Sequence, residues 1–138
     1  MSQAAPVRLL LVDDNPAVLR QVARVLPAEF TIVDALASGE GLQAAIESLH
    51  PDVVVLDITL PGPSGIALAK RIRASGAPTS VVFLTGHCDA DYVRSAMRAG
   101  ASGYVVKMRL SLDLEPALRA AVEGDRFVSP LPELRIDG

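Results

Sequence analysis

Five short apolar runs alternate along this chain with stretches of helical periodicity. The runs are Leu9-Leu10-Leu11-Val12, Phe30-Thr31-Ile32-Val33, Val53-Val54-Val55-Leu56, Val81-Val82-Phe83-Leu84 and Tyr104-Val105-Val106. Runs this brief, and mostly rich in β-branched residues, read as strands covered on both faces. Between them, Val18, Val22, Val25 and Leu26 recur at helical spacing from Pro16 to the break at Pro27. A second helix opens at Ser38 or Gly39, carries Leu42, Ile46 and Leu49, and stops at His50-Pro51. Ile66, Ala69 and Ile72 share the face of a third, and Asp89 is a candidate N-cap for a fourth with Val93, Ala96 and Met97, ended by Gly100. Asp113 is placed as the cap of a fifth helix because Pro116 then falls in the first turn, where its missing amide costs little. Leu118, Ala121 and Val122 would face inward and Gly124 would close that helix. The alternation predicts an α/β fold, a doubly wound five-stranded parallel sheet with five helices as right-handed crossovers.

Where the runs stop matters more than where they start. The first ends on Asp13-Asp14, the third on Asp57, the fourth on Thr85 and the fifth on Lys107. Residues that end buried parallel strands emerge at the carboxyl edge of the sheet, where ligands of open α/β folds bind. Clustered carboxylates repel one another and raise one another's pKa, so an anionic phosphate needs a cation beside them. Mg2+ fits, being a hard ion that takes one or two carboxylates and bridges to phosphate oxygens. A carboxylate such as Asp57 can itself be the nucleophile, forming an acyl phosphate. Lys107 would then act on the phosphoryl oxygens as a point charge and the Thr85 hydroxyl as a donor. The loop from Thr59 to Gly65, broken by Pro61, Gly62 and Pro63, leaves its carbonyls free to face a ligand.

The chain has 138 residues, one domain's length, with 50% hydrophobic and 21% charged residues, which excludes a disordered tail. A formal charge of -3 offers no basic footprint for nucleic acid. The one cysteine, Cys88, the lack of a signal-like amino terminus and the lack of any bilayer-length apolar run give the expectation of a soluble cytoplasmic protein without membrane contact.

Asp13-Asp14, Asp57 followed by Pro61 and Gly65, Thr85-Gly86, and Gly100-Ala101-Ser102-Gly103-Tyr104-Val105-Val106-Lys107 together resemble the receiver domain of bacterial two-component response regulators, over about residues 7 to 123. The resemblance implies a flavodoxin-like strand order 2-1-3-4-5, and a domain at residues 7–123 between an N-terminal tail (1–6) and a C-terminal linker or tail (124–138). It implies that Asp57 accepts a phosphoryl group from a sensor histidine kinase. Asp14, Asp57 and the Thr59 carbonyl would ligate Mg2+, with Asp13 helping through water. Thr85 and Tyr104 would form the switch, the ring moving inward behind the hydroxyl, and Thr59 and His87 occupy positions that tune phosphate lifetime. A homodimer formed on phosphorylation fits the same resemblance. Met108 follows Lys107 where many receivers have a cis proline, leaving that peptide's geometry open. Gly124 to Pro130 looks like the stretch that precedes a LuxR-type helix-turn-helix output domain, so the expectation is a piece of a transcription factor that reaches DNA through another domain. The alternatives are a single-domain receiver and a pseudo-receiver that binds partners without phosphorylation.

Blander readings compete at several positions. Asp13-Asp14 alone is a polar turn, Lys107 alone a solvated lysine, and Tyr104 alone a packing residue. His50 reads as a helix-end residue, Cys88 as inert and Met97 as core, while Met108 and Leu110 hint at a contact surface. A hydrolase with an aspartate nucleophile would carry alternate aspartates and a cap insertion. A flavin or nucleotide carrier would meet its phosphate with helix amides instead of acids.

Overall fold

The computed structural model describes residues 6–131. Its elements run β1 (Val7–Val12), α1 (Pro16–Val25), β2 (Phe30–Leu36), α2 (Leu42–Leu49), β3 (Val53–Leu56), α3 (Gly65–Ser75), β4 (Ser80–Thr85), α4 (Ala90–Arg98), β5 (Gly103–Val106), a 3-10 turn (Lys107–Arg109), α5 (Leu110–Val122) and β6 (Phe127–Val128). All neighbouring strands pair in parallel, in the order β2-β1-β3-β4-β5-β6. The five-strand order matches expectation, and a sixth, two-residue strand extends it at the β5 edge.

Alternation along each strand decides which helical layer a side chain joins. Leu10, Val12, Val54, Leu56, Val81, Phe83, Tyr104 and Val106 pack with α2, α3 and α4. The intervening Leu9, Leu11, Val53, Val55, Val82, Leu84 and Val105 pack with α1 and α5. Both faces of β1, β3, β4 and β5 are therefore dry, which is why these strands read as unbroken apolar runs. β2 lies at the other edge, where it alternates and is partly exposed. Each fully buried Leu or Val contributes about 1.5–3 kcal/mol, so the two layers carry the fold.

Local signals hold at most helix ends. Asn15 caps α1, its Oδ1 accepting from the Ala17 amide at 3.0 Å, and Ser64 caps α3 through the Ala67 amide at 3.2 Å. His50 ends α2 in the left-handed region at φ 50. α2 begins at Leu42, after a turn through 38–41, later than Ser38 or Gly39 would place it. Asp89 stands at the N-cap of α4 without a capping hydrogen bond from its side chain.

The carboxyl-terminal region departs further. α5 starts at Leu110, so Asp113 lies inside the helix and Pro116 in its interior. Asp113 is buried and bonded to Arg109 and Ser129, a partnership that sequence spacing does not reveal. Val122 is 53% exposed and does not face inward. Residues 127–131 do not behave as a frayed end: Phe127 and Val128 pair with Gly103 and Tyr104, and Ser129 and Leu131 are buried. Of the expected tails, 1–6 and 124–138, residues 1–5 and 132–138 lie outside the described residues. Among those described, no peptide is cis, Lys107–Met108 included.

Gly65 is required by close approach. A Cβ there would sit 2.0 Å from the Asp57 carbonyl oxygen, while the Gly65 amide donates to the Ile58 carbonyl at 2.7 Å. This contact closes the loop after β3 against the strand end. Gly65→Ala should lower stability by about 2–4 kcal/mol, read as a lower urea midpoint at unchanged slope.

Candidate functional site at the carboxyl edge of the sheet

Register brings the acids together. Val12 is opposite Leu56, so the residues that follow, Asp13 and Asp57, leave adjacent strands side by side. The Asp57 amide donates to the Val12 carbonyl at 3.0 Å and the Asp13 amide to the Leu36 carbonyl at 3.0 Å, which fixes both backbones. Thr85 is opposite Val106, so Lys107 enters from the far side of β4. Asp13, Asp57 and Thr85 are buried, with 4%, 5% and 0% exposure, whereas Asp14 is exposed.

Carboxylate oxygens of Asp13, Asp14 and Asp57 all lie within 4.8 Å of one another. At an effective dielectric near 20, charges this close repel by roughly 3 kcal/mol per pair. Lys107 Nζ offsets part of that, donating to Asp57 Oδ2 at 2.8 Å and standing 2.9 Å from Asp13 Oδ2. The second contact is an ion pair without hydrogen-bond alignment, so Asp13 Oδ2 is buried with no directed partner. Burial pushes the Asp13 carboxyl above its ordinary range, against the lowering effects of the Asn15 amide and Lys107. Burial pulls Lys107 down, but its contacts with Asp57 and Asp13 outweigh this and hold it above its usual value. One ammonium among three acids leaves the cluster short of positive charge. A buried, unaligned oxygen beside two more carboxylates is a donor set that fits a hard divalent cation.

The remaining nominated residues lie around this cluster. The Thr59 amide donates to Asp57 Oδ1 at 3.3 Å, and the Thr59 hydroxyl is 2.6 Å from His87 Nε2. The His87 ring stacks on Tyr92, with centroids 4.1 Å apart. Thr85 Oγ1 accepts from the His87 amide at 3.4 Å, and the Tyr104 hydroxyl donates to the His87 carbonyl at 2.8 Å. His87 thus joins Thr59, Thr85 and Tyr104, a hub whose centrality no spacing in the sequence announces. Tyr104 is fully buried beside Phe83, so its ring is already inward, and burial holds its phenol above the usual value.

The family model for the response regulator receiver domain matches residues 9–119. The chain belongs to this family. It is 33% identical over 126 residues to the uncharacterized transcriptional regulatory protein YvfU of Bacillus subtilis (strain 168), covering 90% of this chain and 63% of that one. It is 32% identical over 133 residues to the nitrate/nitrite response regulator protein NarL of Escherichia coli (strain K12), covering 94% and 61%. The receiver domain thus spans less than two thirds of the length of these curated relatives. Among solved structures, a two-component response regulator of the LuxR family from Aurantimonas sp. SI85-9A1 superposes with a TM-score of 0.84 at 33% identity, over 91% of each chain. This receiver is a signalling domain in class, and among its described residues no helix is long and apolar enough to cross a membrane.

Three clustered carboxylates face one ammonium, so relieving one charge should stabilise the metal-free protein. Asp13→Asn retains Oδ1 as acceptor for the Asn15 amide, which donates to it at 2.9 Å, and removes one buried charge. The substitution should raise the melting temperature of the metal-free protein by about 3 °C, equivalent to ~1 kcal/mol. It should also reduce the stabilisation that added Mg2+ confers, both measured by thermal denaturation with and without the ion.

Proposed function

We propose that this receiver domain, residues 7–123, accepts a phosphoryl group on Asp57 from the phosphohistidine of a sensor kinase and answers by changing its partner-binding surface. The observation that supports this most is the Lys107 ammonium, held between Asp57 and Asp13 at the ends of three strands. In the transfer, an Asp57 carboxylate oxygen attacks phosphorus; the new P–O bond forms as the P–N bond breaks, and the departing imidazole keeps the electron pair. Lys107 follows the phosphoryl oxygens as a point charge, in keeping with a reaction that asks for positioning and charge balance above all. Thr85 already accepts from the His87 amide, so its own O–H is free to donate to another phosphoryl oxygen. Asp13, Asp14, Asp57 and the Thr59 carbonyl would hold Mg2+, which when bound supplies the positive charge that lets an anionic donor approach.

The hydrogen bonds of His87 suggest how the answer spreads. A Thr85 hydroxyl turned toward the phosphoryl group releases the His87 amide, and His87 carries Tyr104 on its carbonyl. With the ring already inward, the change passes through the β4–α4 loop instead of beginning with a ring swing. To move a conformer from rare to dominant, the phosphoryl group must favour it by about 5 kcal/mol. The full-length relatives named above are a transcriptional regulatory protein and a nitrate/nitrite response regulator, and control of transcription through a separate output domain is the role we assign to a protein carrying this receiver. A net charge of -3 gives the receiver itself no basic footprint for DNA. A phosphorylation-promoted homodimer is the assembly it accommodates.

Incubation with acetyl phosphate and Mg2+ should add one phosphoryl mass to the intact protein and none to Asp57→Asn. Equal gain in both would reject Asp57 as acceptor. The Thr59–His87 bond bridges the loops that follow β3 and β4 and would stand between an acyl phosphate on Asp57 and water. His87→Ala should therefore speed dephosphorylation about 3–10-fold, or roughly 0.6–1.4 kcal/mol. Thr59→Ala should do the same, and the double substitution little more, because both remove one shared contact.

A further inference from the structure

The segment after α5 is tied to Tyr104, which the proposed switch uses, and to Val106, which precedes Lys107. The Ser129 amide donates to the Tyr104 carbonyl at 2.8 Å. The Ser129 hydroxyl accepts from the Val106 amide at 3.2 Å and donates to Asp113 Oδ2 at 2.7 Å. Arg109 Nε reaches the same Asp113 oxygen at 2.7 Å, and its Nη2 is 3.3 Å from Oδ1. Ser129 is 1% exposed and Asp113 5%. Leu131 and Val128 pack among Phe83, Tyr104 and Val106 on one side of the sheet, and Phe127 packs on the other. The segment therefore straddles the edge of β5, pinned by a buried polar network that ends one peptide away from Lys107.

We infer that residues 127–131 form a latch on β5 whose grip is set by the occupancy of Asp57. The inference rests on the phosphoacceptor reading of Asp57. Lys107 now fills the space between Asp13 and Asp57, so a phosphoryl group with its cation must move the ammonium. Lys107 and Val106 share a peptide, and the Val106 amide bond to Ser129 is the longest of the hydrogen bonds that Ser129 makes. Displacing Lys107 loosens that bond first, and with it the Ser129 hydroxyl that holds Asp113 and the edge strand. The signal leaves the site along the main chain of β5 and reaches residues 127–131 without any partner protein. By reciprocity, weakening the latch must favour phosphoryl occupancy by the same factor.

The test is amide exchange by NMR on the full 138-residue chain in Mg2+, with and without beryllofluoride as the phosphoryl mimic, alongside beryllofluoride titrations. Beryllofluoride should make the Phe127 and Ser129 amides exchange about tenfold faster, within the usual range of site coupling. Ser129→Ala should bind the mimic several-fold more tightly. Asp113→Asn, which keeps an acceptor for Ser129 but loses the charge that Arg109 holds, should shift affinity the same way and serves if Ser129→Ala does not fold. A purely structural edge strand would change melting temperature and leave affinity alone. Shifts at Thr85 and Gly86 showing the mimic bound, with Phe127 and Ser129 exchange or variant affinity unchanged, overturn the latch. No response at Thr85 and Gly86 overturns the phosphoacceptor reading and the latch with it.

Discussion

The contact on which the rest of the site depends is Lys107 with Asp57 and Asp13. Three acids converge at the carboxyl edge because β1 and β3 are neighbours in register, and that geometry alone would be self-repelling. Removing the lysine would leave buried carboxylates with no counter-charge, which is far more costly than the pair is stabilising. The lysine thus acts as a resident counter-ion that can be exchanged for a better one. A site built to receive a cation and an anion together has to be poorly neutralised when empty, and the buried Asp13 Oδ2 without a directed partner is where that shows.

The core of the fold was legible in the sequence because the central strands are dry on both faces. Runs such as Val53-Val54-Val55-Leu56 have no solvent-facing positions to interrupt them, and their ends mark the sheet edge by a change from apolar to charged. Register then placed Asp13 beside Asp57 without further information. β6 was not legible for the opposite reason: Phe127-Val128 is too short for a periodic signal and is flanked by Arg126 and Pro130. Its stability comes from Ser129 and Leu131 docking on the β5 edge, which is distant from them in the chain.

Asp113 shows the same limit on a helix. Asp113 with Pro116 three residues on is a good local cap signal, and local rules alone favour starting α5 there. Tertiary partners win because Ser129 and Arg109 meet the buried carboxylate together, and Leu110 and Leu114 gain burial when the helix starts earlier. Val122 errs in the other direction, since the last turn of α5 passes the edge of the packed layer. His87 was visible only as one residue two places after Thr85, and its joining of three other site residues depends on loop geometry that composition does not encode.

β6 and the buried Asp113 of α5 meet at β5 through Ser129. β5 carries Tyr104 and leads into Lys107, it is paired on both edges, and its outer partner is secured by side chains rather than by a long ladder. A six- or seven-residue edge strand would add hydrogen bonds that all had to break together, making the edge too stable for a ligand contributing a few kcal/mol to disturb. Two paired residues and one buried serine provide a far smaller barrier. An edge held this way is stable enough to be ordered and weak enough to respond to the chemistry beside it, and the main chain of β5 is the shortest physical route between the two.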